Sequence, residues 1–312
     1  MRAAAPVQRW RKLGLVFAPD GSVPWMLTHA ANPVAEHVAD DRFRIYFSSR
    51  DAGNRSSAAF VEIDLREPTA ILRQADAPVL APGDPGAFDD AGISIGCLLA
   101  VGSRRFLYYM GWHLMTAVPW QNTIGLATSD APGEPFRRIS TNPIVSVSDA
   151  DPHTVSYPWV RCESGRFRMW YGSSTQWGPH TSDMRHVIKY AESADGISWD
   201  ATGRIVIDAD EPGEYALSRP CVVKDADRYR MWFCSRGHSY RIKYAESDDG
   251  LVWTRKNESI GIDVSPEGWD SEMIEYPCVF DHRGRRYLLY TGNGYGRTGF
   301  GLAVLDEGEA AP

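Results

Sequence analysis

Nowhere among the 312 residues do eighteen apolar residues run together, so no segment reads as a membrane-spanning helix. The segment Met1–Lys12 carries Arg and Ala but no apolar run of the kind that makes a secretion signal, and the expected location is the cytoplasm. A basic stripe is missing too. Lys and Arg number 33 against 40 Asp and Glu, for a formal net charge of −7. A duplex-binding surface needs a basic footprint, so neither nucleic acid nor a membrane is an expected partner. Cysteine is scarce: the five (Cys97, Cys162, Cys221, Cys234, Cys278) are odd in number and form no CxxC pair. They read as buried thiols of a reducing compartment rather than a disulfide framework or zinc site. The eight histidines show no HExxH or Cys/His spacing, so no metal and no cofactor are expected. The glycine-rich run Gly292–Gly299 follows a strand pattern with no helix after it, which reads as a loop and not as a phosphate cradle.

What is abundant is aromatic and apolar residues. Apolar types make up 43% of the chain, charged types 23%, and there are 11 Trp, 14 Tyr and 11 Phe, enough for a large sheet-built core. One segment type recurs. Arg42-Phe-Arg-Ile-Tyr-Phe-Ser-Ser returns with variation from Arg105, Arg166, Arg228 and Arg286, the starts lying 58 to 63 residues apart. Each copy follows a short apolar segment (Pro33-Val, Cys97-Leu-Leu, Pro158-Trp-Val, Pro220-Cys-Val-Val, Pro277-Cys-Val-Phe) and precedes a third strand pattern such as Ile188-Lys-Tyr-Ala-Glu or Ile242-Lys-Tyr-Ala-Glu. Asp-Gly turns then lead to Trp199 and Trp253, where a fourth strand should begin. Four antiparallel strands repeated about an axis predict an all-β fold, a five-bladed β-propeller with four strands per blade. The expected organisation is one domain over 1–312, with repeats at roughly 28–85, 86–150, 151–210, 211–268 and 269–306.

In such a fold the start of each first strand and the end of each second strand lie at one end. The residues there are polar in all five units. First-strand starts offer His29, Asn32, Asp90, His153, Tyr157, Arg219, Glu272, Glu275 and Tyr276. Second-strand ends offer Arg50, Asp51, His113, Trp177, His180, Arg236, His238, Asn293 and Arg297. Carboxylates, arginines, histidines and aromatic rings at one mouth suit a polyol ligand, with rings on sugar faces and charges on hydroxyls. The loop from Thr175 to Arg185 joins the second and third strands of the third unit and should overhang that mouth as a partial lid.

The five-unit plan, and the stretch Tyr46-Phe-Ser-Ser-Arg-Asp-Ala-Gly-Asn-Arg-Ser-Ser57, resemble the five-bladed glycosidase superfamily that includes invertases, arabinanases and mannoside phosphorylases. The resemblance implies a sugar substrate and a set of carboxylates: an Asp before a Pro in one inner strand, a second Asp in the next blade, and a Glu two residues before a Pro in the blade after. Glu275-Tyr276-Pro277 matches the Glu-x-Pro acid pattern. The first position is Asn32-Pro33, and an amide cannot act as nucleophile or base. The corresponding pre-proline residues Tyr157 and Arg219 carry no carboxylate either. Two readings stay open. In one, the protein is a glycoside-processing enzyme, with Glu275 as general acid and Asp90 or Asp51 as base. In the other, the propeller serves a non-hydrolytic biosynthetic reaction or binds carbohydrate without catalysis. Either way the expected partner is a small-molecule sugar or glycosylated metabolite, and the oligomeric state is open.

Overall fold

The computed structural model describes residues 7–306. The ends of the expected 1–312 domain, and the first residues of the Met1–Lys12 segment, lie outside the described residues. Twenty strands occur among them. β1 is Trp10–Phe17. The first unit holds β2 (Thr28–Ala39), β3 (Arg42–Arg50), β4 (Ser56–Asp64) and β5 (Glu67–Gln74). The second holds β6 (Gly92–Val101), β7 (Arg104–Leu114), β8 (Trp120–Ser129) and β9 (Arg137–Arg138). The third holds β10 (Val155–Glu163), β11 (Arg166–Gln176), β12 (Arg185–Ser193) and β13 (Asp200–Ile207). The fourth holds β14 (Ala216–Lys224), β15 (Tyr229–Arg236), β16 (Tyr240–Ser247) and β17 (Thr254–Arg255), and the last β18 (Glu275–His282), β19 (Arg285–Thr291) and β20 (Phe300–Leu305). The nearly all-β chain is a propeller of repeated antiparallel sheets. Its last unit takes its fourth strand from the other end of the chain: β1 pairs antiparallel with β20, Trp10 opposite Leu305 and Phe17 opposite Phe300.

Burial explains why the recurring aromatic segment is nearly continuous rather than alternating. β3 is buried from Phe43 through Ser49 because both of its faces are covered, whereas outer strands such as β5 and β13 keep every other residue or more in water. The Asp-Gly turns fold alike in the third and fourth units. Gly196 and Gly250 adopt φ of 76°, and Asp195 and Asp249 each accept two backbone N–H groups at 2.8 Å. Each turn is also tied to the preceding unit: Tyr108 donates to the Gly196 carbonyl and Trp170 Nε1 to that of Gly250, both at 2.9 Å.

The first strand of every unit has a register break at an equivalent place, between Ala31 and Val34 (β2 has two further breaks), Ile95 and Cys97, Ser156 and Trp159, Ser218 and Cys221, and Glu275 and Cys278. In four of them the break holds a residue before proline with positive φ: Asn32 (56°), Tyr157 (44°), Arg219 (52°) and Tyr276 (54°). Left-handed backbone at non-glycine residues is uncommon and costs energy, and proline fits a bulge because it has no N–H to lose. Three of the cysteines link neighbouring units along these strands: the sulfurs of Cys97 and Cys221 accept the N–H groups of Val160 and Val279 at 3.1 Å, and Cys278 serves Ala35 in the same way. Burial pushes these thiols up, so they stay protonated. The expectation of five buried cysteines is corrected at Cys162, which is exposed on β10. No helix among the described residues is long and apolar enough to cross a membrane.

Candidate active site

Strand pairing brings the expected ends together. Thr28 lies opposite Arg50, Gly92 opposite Trp112, Val155 opposite Ser173, Ala216 opposite Arg236 and Glu275 opposite Thr291. At this end sits a cavity of about 560 Å³, lined by His29, Arg50, Asp51, Asn54, Tyr295 and Arg297 among others. The backbone around it is strained: His29, Asn54 and Tyr295 have φ of 62°, 63° and 61°. Tyr295 follows the left-handed Gly294, so the short helical turn Asn293–Gly296 is not a helix with an anion-binding end. Burial first, and then the charges of Arg50 and Arg297, push His29 down to about 4, leaving it neutral near pH 7.

Deeper in, Glu275 is wholly buried, and neither carboxyl oxygen has a hydrogen-bond partner. Burial raises its pKa well above the carboxylate range, and the opposing pull of the Arg236 guanidinium does not offset it. Glu275 therefore keeps its proton to higher pH than an ordinary carboxyl does. Tyrosines surround it. Tyr157 donates to the Tyr276 hydroxyl at 3.3 Å, and their rings lie 5.3 Å apart. Tyr240 packs 6.4 Å from Tyr276 and 6.1 Å from Tyr295. Arg236 lies over the rings of Tyr215, Tyr240 and Tyr295 at 5.3 to 5.7 Å. Tyr295 thus belongs both to the cavity wall and to the tyrosines around Glu275.

Orphaned polar atoms continue along the first strands. Asn32 Oδ1, Ser156 Oγ and Ser218 Oγ are buried and unpartnered. Arg219 is fully buried and lies 5.8 Å from the Trp159 ring; its Nη1 donates to the Gly96 carbonyl, while Nε and Nη2 have no partner. Buried polar groups are normally satisfied, so unpaired ones in one region mark a place built for something else. The expected residues therefore form two groups that meet at Tyr295: His29, Arg50, Asp51 and Arg297 at the cavity, and Tyr157, Arg236, Glu275 and Tyr276 among the tyrosines, with Asn32 and Arg219 on the bulges.

Other expected residues lie apart. His113, His153, Trp177 and His180 belong to the second and third units. The His113 Nδ1 is buried without a partner, the His153 carbonyl accepts Gln121 at 3.3 Å, and Trp177 donates to the Trp120 carbonyl at 3.2 Å. His180 is exposed in the Thr175–Arg185 loop, which Trp177 fastens to the neighbouring unit. Asp90 accepts the Gly86 N–H in a turn. Asn293 accepts the N–H groups of Glu272 and Met273, while the Glu272 side chain and His238 are exposed. The remaining mouth carboxylates have structural partners. Asp89, Asp151 and Asp270 accept Tyr109, Tyr171 and Tyr290, each twenty residues later, and each pairs with a cation, respectively Arg138, Lys189 and Lys12.

Sequence reasoning missed Tyr240. It begins a third strand, and the rule used covered only first and second strands, although a hairpin puts third-strand starts at the same end. It also passed over Gly92-Ile93-Ser94-Ile95-Gly96, which spells Gly-x-Ser-x-Gly. Ser94 lies within β6 and no helix follows, so the strand–turn–helix that presents such a nucleophile is absent there.

No family model matches the chain. It is 55% identical over 298 residues to "Uncharacterized protein MT1551" of Mycobacterium tuberculosis (strain CDC 1551 / Oshkosh), covering 96% of this chain and 99% of that one. It is 54% identical, with the same coverage, to "Uncharacterized protein Rv1502" of strain ATCC 25618 / H37Rv. The chain belongs to the family of these mycobacterial proteins. Solved structures show the fold that this family shares. A "Glycoside hydrolase" superposes with a TM-score of 0.75 at 20% identity, over 98% of this chain and 94% of that one. The α-L-arabinofuranosidase PaAbf62A from Podospora anserina, in complex with cellotriose, gives 0.69 at 10% identity over 97% and 98%. An endo-arabinase from Bacteroides thetaiotaomicron gives 0.65 at 12% identity over 96% and 99%.

Proposed function

We propose that the mouth takes a small sugar-containing molecule and that Glu275, held neutral, is the proton donor to an oxygen at its glycosidic bond. One observation carries this reading: a carboxyl with no solvent contact, no hydrogen-bond partner and a raised pKa, close enough to Tyr295 of the cavity wall to act on it electrostatically. A general acid must hold its proton at working pH, and burial is how a carboxyl does so. Tyrosines and arginines supply ring faces and donors for hydroxyl groups. The fold shared with the arabinofuranosidase and endo-arabinase supports a sugar as the ligand class. Of the two candidate bases, Asp51 lines the cavity and Asp90 does not. The Arg55 guanidinium and backbone N–H keep Asp51 below the usual carboxylate range, so it is charged.

A second reading, sugar binding or non-hydrolytic chemistry, draws on what acts on Glu275. Glycoside hydrolysis uses two carboxyl groups roughly 5 to 10 Å apart. Besides burial, Arg236 is the influence on Glu275, with no carboxylate among them, and Asn32 replaces the expected Asp. Glu275→Gln separates the readings. Turnover of aryl glycosides or a native glycoside by wild type, lost at least a hundredfold in the variant with binding kept, supports the acid. Equal turnover in both removes it, and binding without turnover in either favours the second reading.

A further inference from the structure

We infer that the mouth cavity recognises an anionic substituent, a phosphate or a carboxylate, carried by its sugar ligand. This rests on the reading of the cavity as a sugar site. Arg50 and Arg297 line the cavity. The Arg50 guanidinium donates to the neutral Asn54 at 2.8 Å, and neither arginine pairs with a carboxylate among the described residues. Arg236, beside the same Tyr295, is held by three rings and likewise has no carboxylate in contact. Elsewhere the chain treats its partly buried arginines differently: Arg44, Arg168, Arg230, Arg255 and Arg286 each face an Asp or Glu. The single carboxylate at the cavity, Asp51, is already engaged by Arg55 at 2.9 Å.

A protein with a formal charge of −7 thus concentrates uncompensated guanidinium groups at one opening. Guanidinium forks match phosphate and carboxylate geometry, and such charge-assisted bonds are among the stronger ones available. Neutral His29, whose proton is opposed by burial and by both arginines, is left to hydrogen-bond hydroxyl groups of the same ligand.

The test is calorimetric titration of the full chain with mannose and glucose, their 1- and 6-phosphates, glucuronate and inorganic phosphate, in wild type, Arg297→Ala and Arg297→Lys. Arg297 is exposed, so Arg297→Ala should fold, and an unchanged melting curve checks this. The expected result is an anionic sugar that binds at least tenfold more tightly than its neutral parent. It should lose about ten- to a hundredfold in Arg297→Ala, regain part in Arg297→Lys, and weaken with salt. The phosphate and uronate arms show which anion is taken. Neutral sugars binding as tightly as charged ones, with Arg297→Ala indifferent, overturn the inference and leave the sugar reading standing. Inorganic phosphate binding through Arg297 while no sugar binds supports the anion site and overturns the sugar reading. No binding by any probe overturns both.

Discussion

Replacing Glu275 with Gln should make stability less dependent on pH, in a direction and size set by its burial. The folded carboxyl holds its proton well above the ordinary value of 4.5. Between that value and the folded pKa, folding takes up a proton, so stability conferred with the proton in place below pH 4.5 is lost as pH rises. Each pH unit in that window costs about 1.4 kcal/mol per group. Gln has the same shape and no proton to gain, so the variant lacks this slope. As pH rises from 5.5 the variant should gain on wild type by about 1.4 kcal/mol per pH unit until the folded pKa is reached. Urea unfolding of both proteins at half-unit intervals measures this, and the difference between them cancels every other titrating group. Parallel stability curves would show that Glu275 is ionised in the folded state, and the neutral-acid argument would fall.

Three further outcomes follow from other parts of the fold. Lys189→Met leaves Asp151 buried with its Tyr171 and Ser173 donors but no cation; it should cost about 3 kcal/mol in urea unfolding, partly recovered by adding Asp151→Asn, and a loss under 1 kcal/mol would contradict the buried pair. Gly261→Ala puts a Cβ at 1.6 Å from the Gln8 carbonyl at φ of 64°, just where the chain enters β1; amide protection should fall across β1 and β20, and an unchanged exchange pattern would show that the closure is not strained there. His29 followed by NMR should titrate near 4, and a midpoint near 6.5 would mean that neither burial nor the charges of Arg50 and Arg297 act on it.

Much of the architecture was legible because the pattern repeats: the Arg42, Arg105, Arg166, Arg228 and Arg286 segments became β3, β7, β11, β15 and β19 almost residue for residue. Trp199 and Trp253 stand one residue before β13 and β17, as their turns implied. What escaped was non-local. The role of β1 required knowing that the last unit lacks a strand of its own, and the Lys12–Asp270 pair joins residues from opposite ends of the chain. At the site, the strand-end rule named His29, Arg50 and Arg297, which line the cavity, and Tyr157, Arg236 and Glu275, which lie among the neighbouring tyrosines. It did not separate them from Asp90 or Asn293, whose side chains serve backbone N–H groups, because acidic and amide residues at turns have the same composition in either role. The Asp-to-Tyr spacing of twenty, seen three times, was the available sign that Asp89, Asp151 and Asp270 are structural.

The most direct test of the account is a crystal structure of the wild-type protein soaked with the anionic sugar that binds it most tightly. The account expects the sugar in the mouth cavity with an oxygen in hydrogen-bond reach of Glu275 and its anionic group on Arg50 and Arg297. A sugar held elsewhere on the propeller, with both Glu275 oxygens still unpartnered, would contradict it.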